Sequence, residues 1–178
     1  MALISKDIYG NKWLISFASG ANLTEYTIPE DVVALENYSF YYAKTLKKLN
    51  FPDSLTGFIS GTSFTGTNNI EFITGKYVLE DNRSMVIDGT LVMLAGSGLE
   101  KYVTPKCVTR LGTQVLNRQF NIKEYVISDE VTEVGGLGYL FRACPNLEKV
   151  TISARMNNLG YDPFVSRKSY SPLLKEVY

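Results

Sequence analysis

The sequence predicts an α/β right-handed solenoid, strand-rich with little helix, with a parallel sheet on one face and a hairpin-like insert near residues 77–94. Three observations predict it. A short apolar motif returns every 23 to 29 residues along the 178-residue chain. A second set of apolar positions keeps step with the first. The composition, with 12 Tyr and 14 Gly alongside abundant Val, Ile and Thr, leans towards strands and turns rather than long helices.

The motif reads LTEYTIP at 23–29, LKKLNFP at 46–52, LEKYVTP at 99–105, IKEYVIS at 122–128 and LEKVTIS at 147–153. A weaker copy, IEFIT, starts at Ile70, and a last partial copy, LKEVY, starts at Leu174. The leading apolar residues are 23, 24, 29, 23, 25 and 27 residues apart, the spacing of leucine-rich repeats apart from one insertion. Alternation within the motif turns the Leu, the aromatic and the Ile towards one side of an extended segment. A single coil cannot bury that side. Coils stacked in register pair these segments as a parallel sheet and align their apolar residues into ladders, and a Pro after the segment ends the pairing.

The return path repeats as well. An apolar residue stands three positions past the Pro or Ser, at Val32, Leu55, Val108, Val131 and Met156. Another follows at Leu35, Phe58, Leu111, Val134 and Leu159, and a large one at Phe40, Phe64, Leu116, Phe141 and Phe164. The expected organisation is one repeat domain over 1–178, with 1–22 as an N-terminal hairpin or cap. Its repeats start near 23, 46, 70, 99, 122 and 147, with a partial one at 174. In the insert, Asp88 and Gly89 stand as a two-residue turn between apolar strands.

The run YTIPEDVVALENYSF from Tyr26 to Phe40, followed by Leu46, closely resembles the BspA-like leucine-rich repeats of surface proteins from Bacteroides and related bacteria, treponemes and some protists. That family's repeat carries a Cys three residues after its Phe and a Leu three residues later. Phe141, Cys144 and Leu147 match this spacing, whereas Ala43 and Leu46 keep the Leu and replace the Cys. Residues 77–94 resemble the family's hairpin-like interruption, and Leu3 to Pro29 resemble a second copy of it, as if the chain started partway through a module. The resemblance implies fold and coil packing; it brings no shared catalytic or ligand set.

The chain has no histidine, which excludes His-activated nucleophiles, histidine acid–base work and His-containing zinc sites. Cys107 and Cys144 make neither a metal cluster nor a CxxC pair and are expected to be unbridged. Gly75-Lys76 lacks the rest of a phosphate loop. The carboxylate groups Glu30 and Asp31, Glu80 and Asp81, and Asp129, Glu130 and Glu133 read as solvated turn residues rather than a hydrolase pair or a calcium loop. Asn22, Asn37 and Asn82 open sequons that read as coincidental. No catalytic, cofactor-binding or metal-binding residue is therefore assigned. With 18 basic and 18 acidic residues, the net charge of zero argues against nucleic acid or an anionic membrane as partner. No apolar run is long enough to insert into a membrane, and the N-terminus lacks the basic, apolar and small-residue regions of a secretory signal, which fits either a protein made for the cytosol or, as favoured here, a domain expressed without its natural leader.

The outward residues of the motif form two columns. The first is Thr24, Lys47, Glu71, Glu100, Lys123, Glu148 and Lys175; the second is Glu25, Lys48, Phe72, Lys101, Glu124, Lys149 and Glu176. From Glu100 and Lys101 onward both alternate in sign, so neighbours on adjacent parallel strands are expected to pair laterally. Tyr41 and Tyr42 are the aromatic candidates, since a rigid ring with a hydroxyl suits an interface anchor. The candidate partner-binding residues are thus Tyr41, Tyr42, Lys48, Phe72, Lys101, Glu124 and Lys149. The expected function is a non-catalytic adhesion or recognition module for a protein or glycan, on a bacterial cell surface or secreted. The alternatives are a docking component of a phage or secreted particle, made in the cytoplasm, and, more remotely, a carboxylate-dependent glycan hydrolase. Oligomeric state is left open.

Overall fold

The computed structural model describes residues 2–56, 59–136, 139–161, 163–164 and 174–178. Its strands are β1 (Ala2–Lys6), β2 (Lys12–Phe17), β3 (Glu25–Thr27), β4 (Val32–Leu35), β5 (Lys48–Asn50), β6 (Phe72–Thr74) and β7 (Ser84–Ile87). These are followed by β8 (Thr90–Leu94), β9 (Lys101–Val103), β10 (Arg110–Leu111), β11 (Glu124–Val126), β12 (Glu133–Val134), β13 (Lys149–Thr151) and β14 (Glu176–Val177). Helix among the described residues amounts to one 3-10 turn at Gly61–Phe64.

The motif strands stack in parallel as expected, in two ladders: β3-β5-β6 and β9-β11-β13-β14. Each strand starts two residues after the leading apolar residue, and the backbone shows why. The carbonyl of one coil accepts from two successive amides of the next: Thr24 from Lys47 and Lys48 (2.7 and 3.0 Å), and Glu100 from Lys123 and Glu124 (2.7 and 3.1 Å). Lys47, Lys123 and Glu148 serve the following coils in the same way. The leading residue is thereby held in the turn, with its side chain inward. Leu46, Ile122 and Leu147 are buried, whereas Leu23, whose segment is the first of its ladder, stays exposed.

The return path builds a second set of ladders that the repeat pattern did not announce. β10 pairs in parallel with β12 and with β8, and β4 pairs in parallel with β2. The insert is therefore woven into the coil stack. β7 and β8 form an antiparallel hairpin whose turn residues Asp88 and Gly89 both have positive φ (47° and 72°), as a tight two-residue turn requires. β1 and β2 repeat the arrangement at the N-terminus, through a longer turn held by the Asp7 carboxylate on the Tyr9 and Asn11 amides.

Two buried clusters fill the coils, and β8 belongs to both: Val92 and Met93 pack into the first, Leu91 and Leu94 into the second. An aromatic stack runs along the first from Phe17 to Phe40 (centroids 5.4 Å apart) and on to Phe64 (5.7 Å). Phe141 and Phe164 stack at 5.1 Å in the second. The residues two before and two after Phe40, Leu116 and Phe141 all have positive φ: Tyr38 and Tyr42, Gln114 and Arg118, Tyr139 and Ala143. No glycine marks these six bends. The predicted return-path positions are buried except Phe64, Val134, Met156, Leu159 and Phe164, which are half-buried; Phe58 lies outside the described residues.

Candidate interaction surface

On the strand face, alternation turns Tyr26, Leu49, Ile73, Tyr102, Tyr125 and Val150 inward and leaves their neighbours outward. The register joins Glu25, Lys48 and Phe72 across one ladder, and Lys101, Glu124, Lys149 and Glu176 across the other. The lateral ion pairs form in both columns: Lys48 with Glu25 (3.0 Å), Lys47 with Glu71 (3.3 Å), Lys101 with Glu124 (3.1 Å) and Lys123 with Glu100 (2.9 Å). Lys149 with Glu176 (3.9 Å) and Lys175 with Glu148 (3.4 Å) continue them. The Asn50 amide and the Lys48 ammonium hold the Glu25 carboxyl below its ordinary value, and Glu100 raises the Lys123 ammonium. These pairs are exposed, so they fix register more than they stabilise.

A third outward column lies beside them. Asn50 donates to the Thr27 hydroxyl at 3.0 Å and accepts from the Thr74 hydroxyl at 2.7 Å, which makes a polar rung on the first ladder. On the second ladder its place is taken by Val103, Val126 and Thr151, of which Val103 is exposed.

The two ladders do not join. Ile73 donates its amide to Asn82 at 2.8 Å, so the segment leading into β7 takes the place a further strand would fill. Arg83 spans this seam. Its Nη1 donates to the carbonyls of Ala95 (3.1 Å) and Ser97 (2.6 Å), and its guanidinium lies 4.9 Å from the centre of the Phe72 ring. Phe72 is the apolar exception in the second column and remains 46% exposed beneath that cation. Reading the repeats missed Arg83, because it lies in the insert rather than in a column. The misfit of Phe72 was the available signal.

Tyr41 and Tyr42 lie elsewhere, in the turn between β4 and β5. They contact each other at 4.5 Å, and Tyr38 meets Tyr41 edge-on at 5.8 Å. The Tyr42 ring lies so close to Gly66 that a Cβ there would come within 2.9 Å of it, so this tyrosine covers the following coil. Tyr41 is half exposed at 51%. Of the seven candidates, the structure therefore groups Lys101, Glu124 and Lys149, separately pairs Lys48 with Phe72, and sets the tyrosines apart.

The carboxylates sit in turns or in pairs. Asp31 pairs with Lys12, Glu133 approaches Arg110 at 3.8 Å, and Asp81 accepts from the Arg83 and Ser84 amides at 2.9 Å each. Both cysteines are free thiols, Cys107 exposed and Cys144 buried. Cys144 donates to the Leu116 carbonyl at 3.2 Å, as does the Tyr125 hydroxyl at 3.3 Å. Burial pushes the Cys144 thiol up to about 11 and the Tyr125 phenol well above its usual value.

The model of the BspA type leucine rich repeat region matches residues 15–85 and 92–171, in six copies. The chain belongs to this family. The interruption between the two matched stretches coincides with the tip of the β7–β8 hairpin. Among solved structures, a leucine rich cell surface protein from Faecalibacterium prausnitzii is similar at 18% identity and a TM-score of 0.67, over 84% of this chain and 42% of that one. A leucine rich repeat protein from T. pallidum is similar at 18% identity and a TM-score of 0.61, over 99% of this chain and 78% of that one. The pneumococcal vaccine antigen PcpA is similar at 17% identity and a TM-score of 0.56, over 88% of this chain and 47% of that one. At these identities the likeness is one of fold alone, and this chain spans less than half the length of the first and third. No curated protein matches the sequence.

Proposed function

We propose that this chain is a non-catalytic recognition module of a bacterial cell-surface or secreted leucine-rich repeat protein, engaging a protein or glycan through its strand face. The observation that carries the reading is the seam where Phe72 lies under Arg83, with Lys48 beside it in register. An exposed ring with a cation at its face is a rigid, amphipathic contact, and it interrupts columns whose other charges are neutralised in pairs. Such a flat surface suits a macromolecule or an extended glycan better than an enclosed small molecule. Membership of the BspA-type family and the cell-surface description of the Faecalibacterium protein support the localisation.

The test is a screen of the chain against glycan arrays and extracellular matrix proteins, repeated with Phe72→Ala and with the pair Lys101→Ala and Lys149→Ala, and with product analysis of every bound glycan. The expected result is binding that Phe72→Ala weakens at least tenfold without loss of folding, with the ligand recovered intact. Binding indifferent to all these changes would move the site off the strand face, and a cleaved glycan would refute the non-catalytic reading.

A further inference from the structure

The six lysines of the outward columns each have a carboxylate beside them, so their charges are cancelled in place. Arg83, at the seam between the two ladders, does not follow that rule. No carboxylate pairs with its guanidinium among the described residues. Asp81, the nearest acid along the chain, is committed elsewhere: Oδ1 accepts from the Arg83 and Ser84 amides at 2.9 Å each, and Oδ2 from the Ser84 hydroxyl at 2.6 Å.

The guanidinium is fixed without being neutralised. Its Nη1 is held by the carbonyls of Ala95 and Ser97, and those residues are tied in turn, the Ala95 amide to the Arg83 carbonyl at 2.8 Å and the Ser97 amide to the Ile70 carbonyl at 3.2 Å. Carbonyls orient a cation and leave its charge. On the edge of the plane away from Nη1, Nε–H and Nη2–H have no protein acceptor among the described residues, and neither nitrogen is shut away from solvent. They are the parallel donor pair to which a carboxylate binds with both oxygens. Because the side chain is already immobilised, a ligand loses little of its affinity to ordering it.

The surroundings narrow what carries that carboxylate. The Phe72 ring lies against the guanidinium and stays partly exposed, and Thr74, two residues on, faces the same side of the strand. Through Asn50 it joins Thr27 in the rung of hydroxyls and amide described above. One exposed ring beside a hydroxyl and amide rung matches a pyranose, which has a C–H face for the ring and hydroxyls for the rung. An acidic peptide would set its apolar side chains against polar groups there. We propose that Arg83, Phe72 and the rung of Thr27, Asn50 and Thr74 form a subsite for an acidic glycan. A pyranose bearing a carboxylate, such as a hexuronate or a sialic acid, places it on the Nε and Nη2 donors and rests its C–H face on the exposed part of Phe72. This inference rests on the strand-face reading above and adds to it the charge of the ligand.

The test titrates the full chain with trigalacturonate and with 3′-sialyllactose, each beside its methyl ester, by calorimetry, while the Arg83 Nε–H resonance is followed by NMR. At least one acid should bind and move that resonance, and the tighter of the two identifies the source of the carboxylate. Its ester, which keeps every hydroxyl and loses the charge, should bind at least tenfold more weakly, a comparison that needs no change to the protein. Phe72→Ala and Arg83→Lys, which keeps the charge and loses the paired donors, should each weaken the acid at least tenfold. Equal binding of acid and ester, binding that leaves the Arg83 resonance unmoved, or binding of neither acid overturns the proposal. So does tighter binding of a capped tetraglutamate peptide than of either sugar. A neutral glycan or a matrix protein whose binding Phe72→Ala still weakens would leave the strand-face reading standing when the acidic subsite has failed.

Discussion

Replacing Leu111 by alanine tests how the coils hold together. Leu111 is fully buried and lies between Leu91 and Val134 on neighbouring strands of the return ladder. The change removes three buried carbon groups, worth about 2.4 kcal/mol in transfer free energy at about 0.8 kcal/mol each. The cavity adds to this where neighbours cannot close it. Closure is restricted here, because a Cβ at Gly112 would stand 2.6 Å from the Leu91 carbonyl oxygen, so the adjoining backbones are already as close as they can come. The expected loss is about 3 to 4 kcal/mol, within the roughly 2 to 5 kcal/mol known for buried Leu to Ala changes. Val134→Ala should cost less, since Val134 is half-buried on the last described strand of that ladder. Lys123→Ala breaks only an exposed pair and should fall within the scatter of ordinary surface substitutions, with much of its effect lost in high salt. Urea melts of the three variants at low and high salt make the comparison. If Lys123→Ala destabilises as much as Leu111→Ala, the register of the repeat is wrong and the outward columns fall with it.

Three further outcomes follow from the packing. A thiol reagent should modify Cys107 in the native protein and reach Cys144 only on unfolding; native chains with no reactive thiol would contradict the free state of both. The native state should weaken from about pH 9 upward. The Cys144 thiol, near 9 when unfolded and about 11 when folded, favours folding fully below pH 9 and loses about 2 to 3 kcal/mol of that by pH 11. Burial of Tyr125 and Tyr102 acts in the same direction. A Cys144→Ala variant whose urea midpoint falls as steeply over that range would refute the assignment. Gly112→Ala should destabilise by more than about 1 kcal/mol in the same melts, because its Cβ meets backbone rather than a movable side chain, and a neutral result would show that the coils can separate there.

Much of this was legible in the residues, for a physical reason. Coil packing demands an apolar side chain at a fixed place in every turn, so Leu46, Ile122 and Leu147 announce themselves by spacing, and the residues after them announce the outward columns. Asp88-Gly89 announces the hairpin because few other pairs accept two successive positive φ values. The return ladder stayed hidden because β10 and β12 are two residues each, too short for alternation to register. The seam between β6 and β9 stayed hidden because Asn82 closes it with a backbone carbonyl, which any residue has. Nor could spacing distinguish a coil covered on both sides from one near an end. That is why Leu23 proves exposed, and Val134 and Met156 half-buried, at positions whose equivalents are buried. Tyr42 reads from the sequence as either an anchor or a cover, and the structure keeps both readings: its ring lies against Gly66, and 37% of it stays exposed.

The central claim is that the outward columns are stacked in parallel in one defined register, and disulfide trapping tests it most directly. Glu124 and Lys149 are register partners on the parallel strands β11 and β13, and neighbouring strands lie about 4.7 to 4.9 Å apart, within disulfide reach. In a Cys107→Ser background, the double variant Glu124→Cys, Lys149→Cys should oxidise to an intramolecular disulfide while keeping the native fold. The out-of-register pair Glu124→Cys, Thr151→Cys should form it far more slowly. Faster trapping of the second pair would contradict the register, and with it the surface on which the functional reading stands.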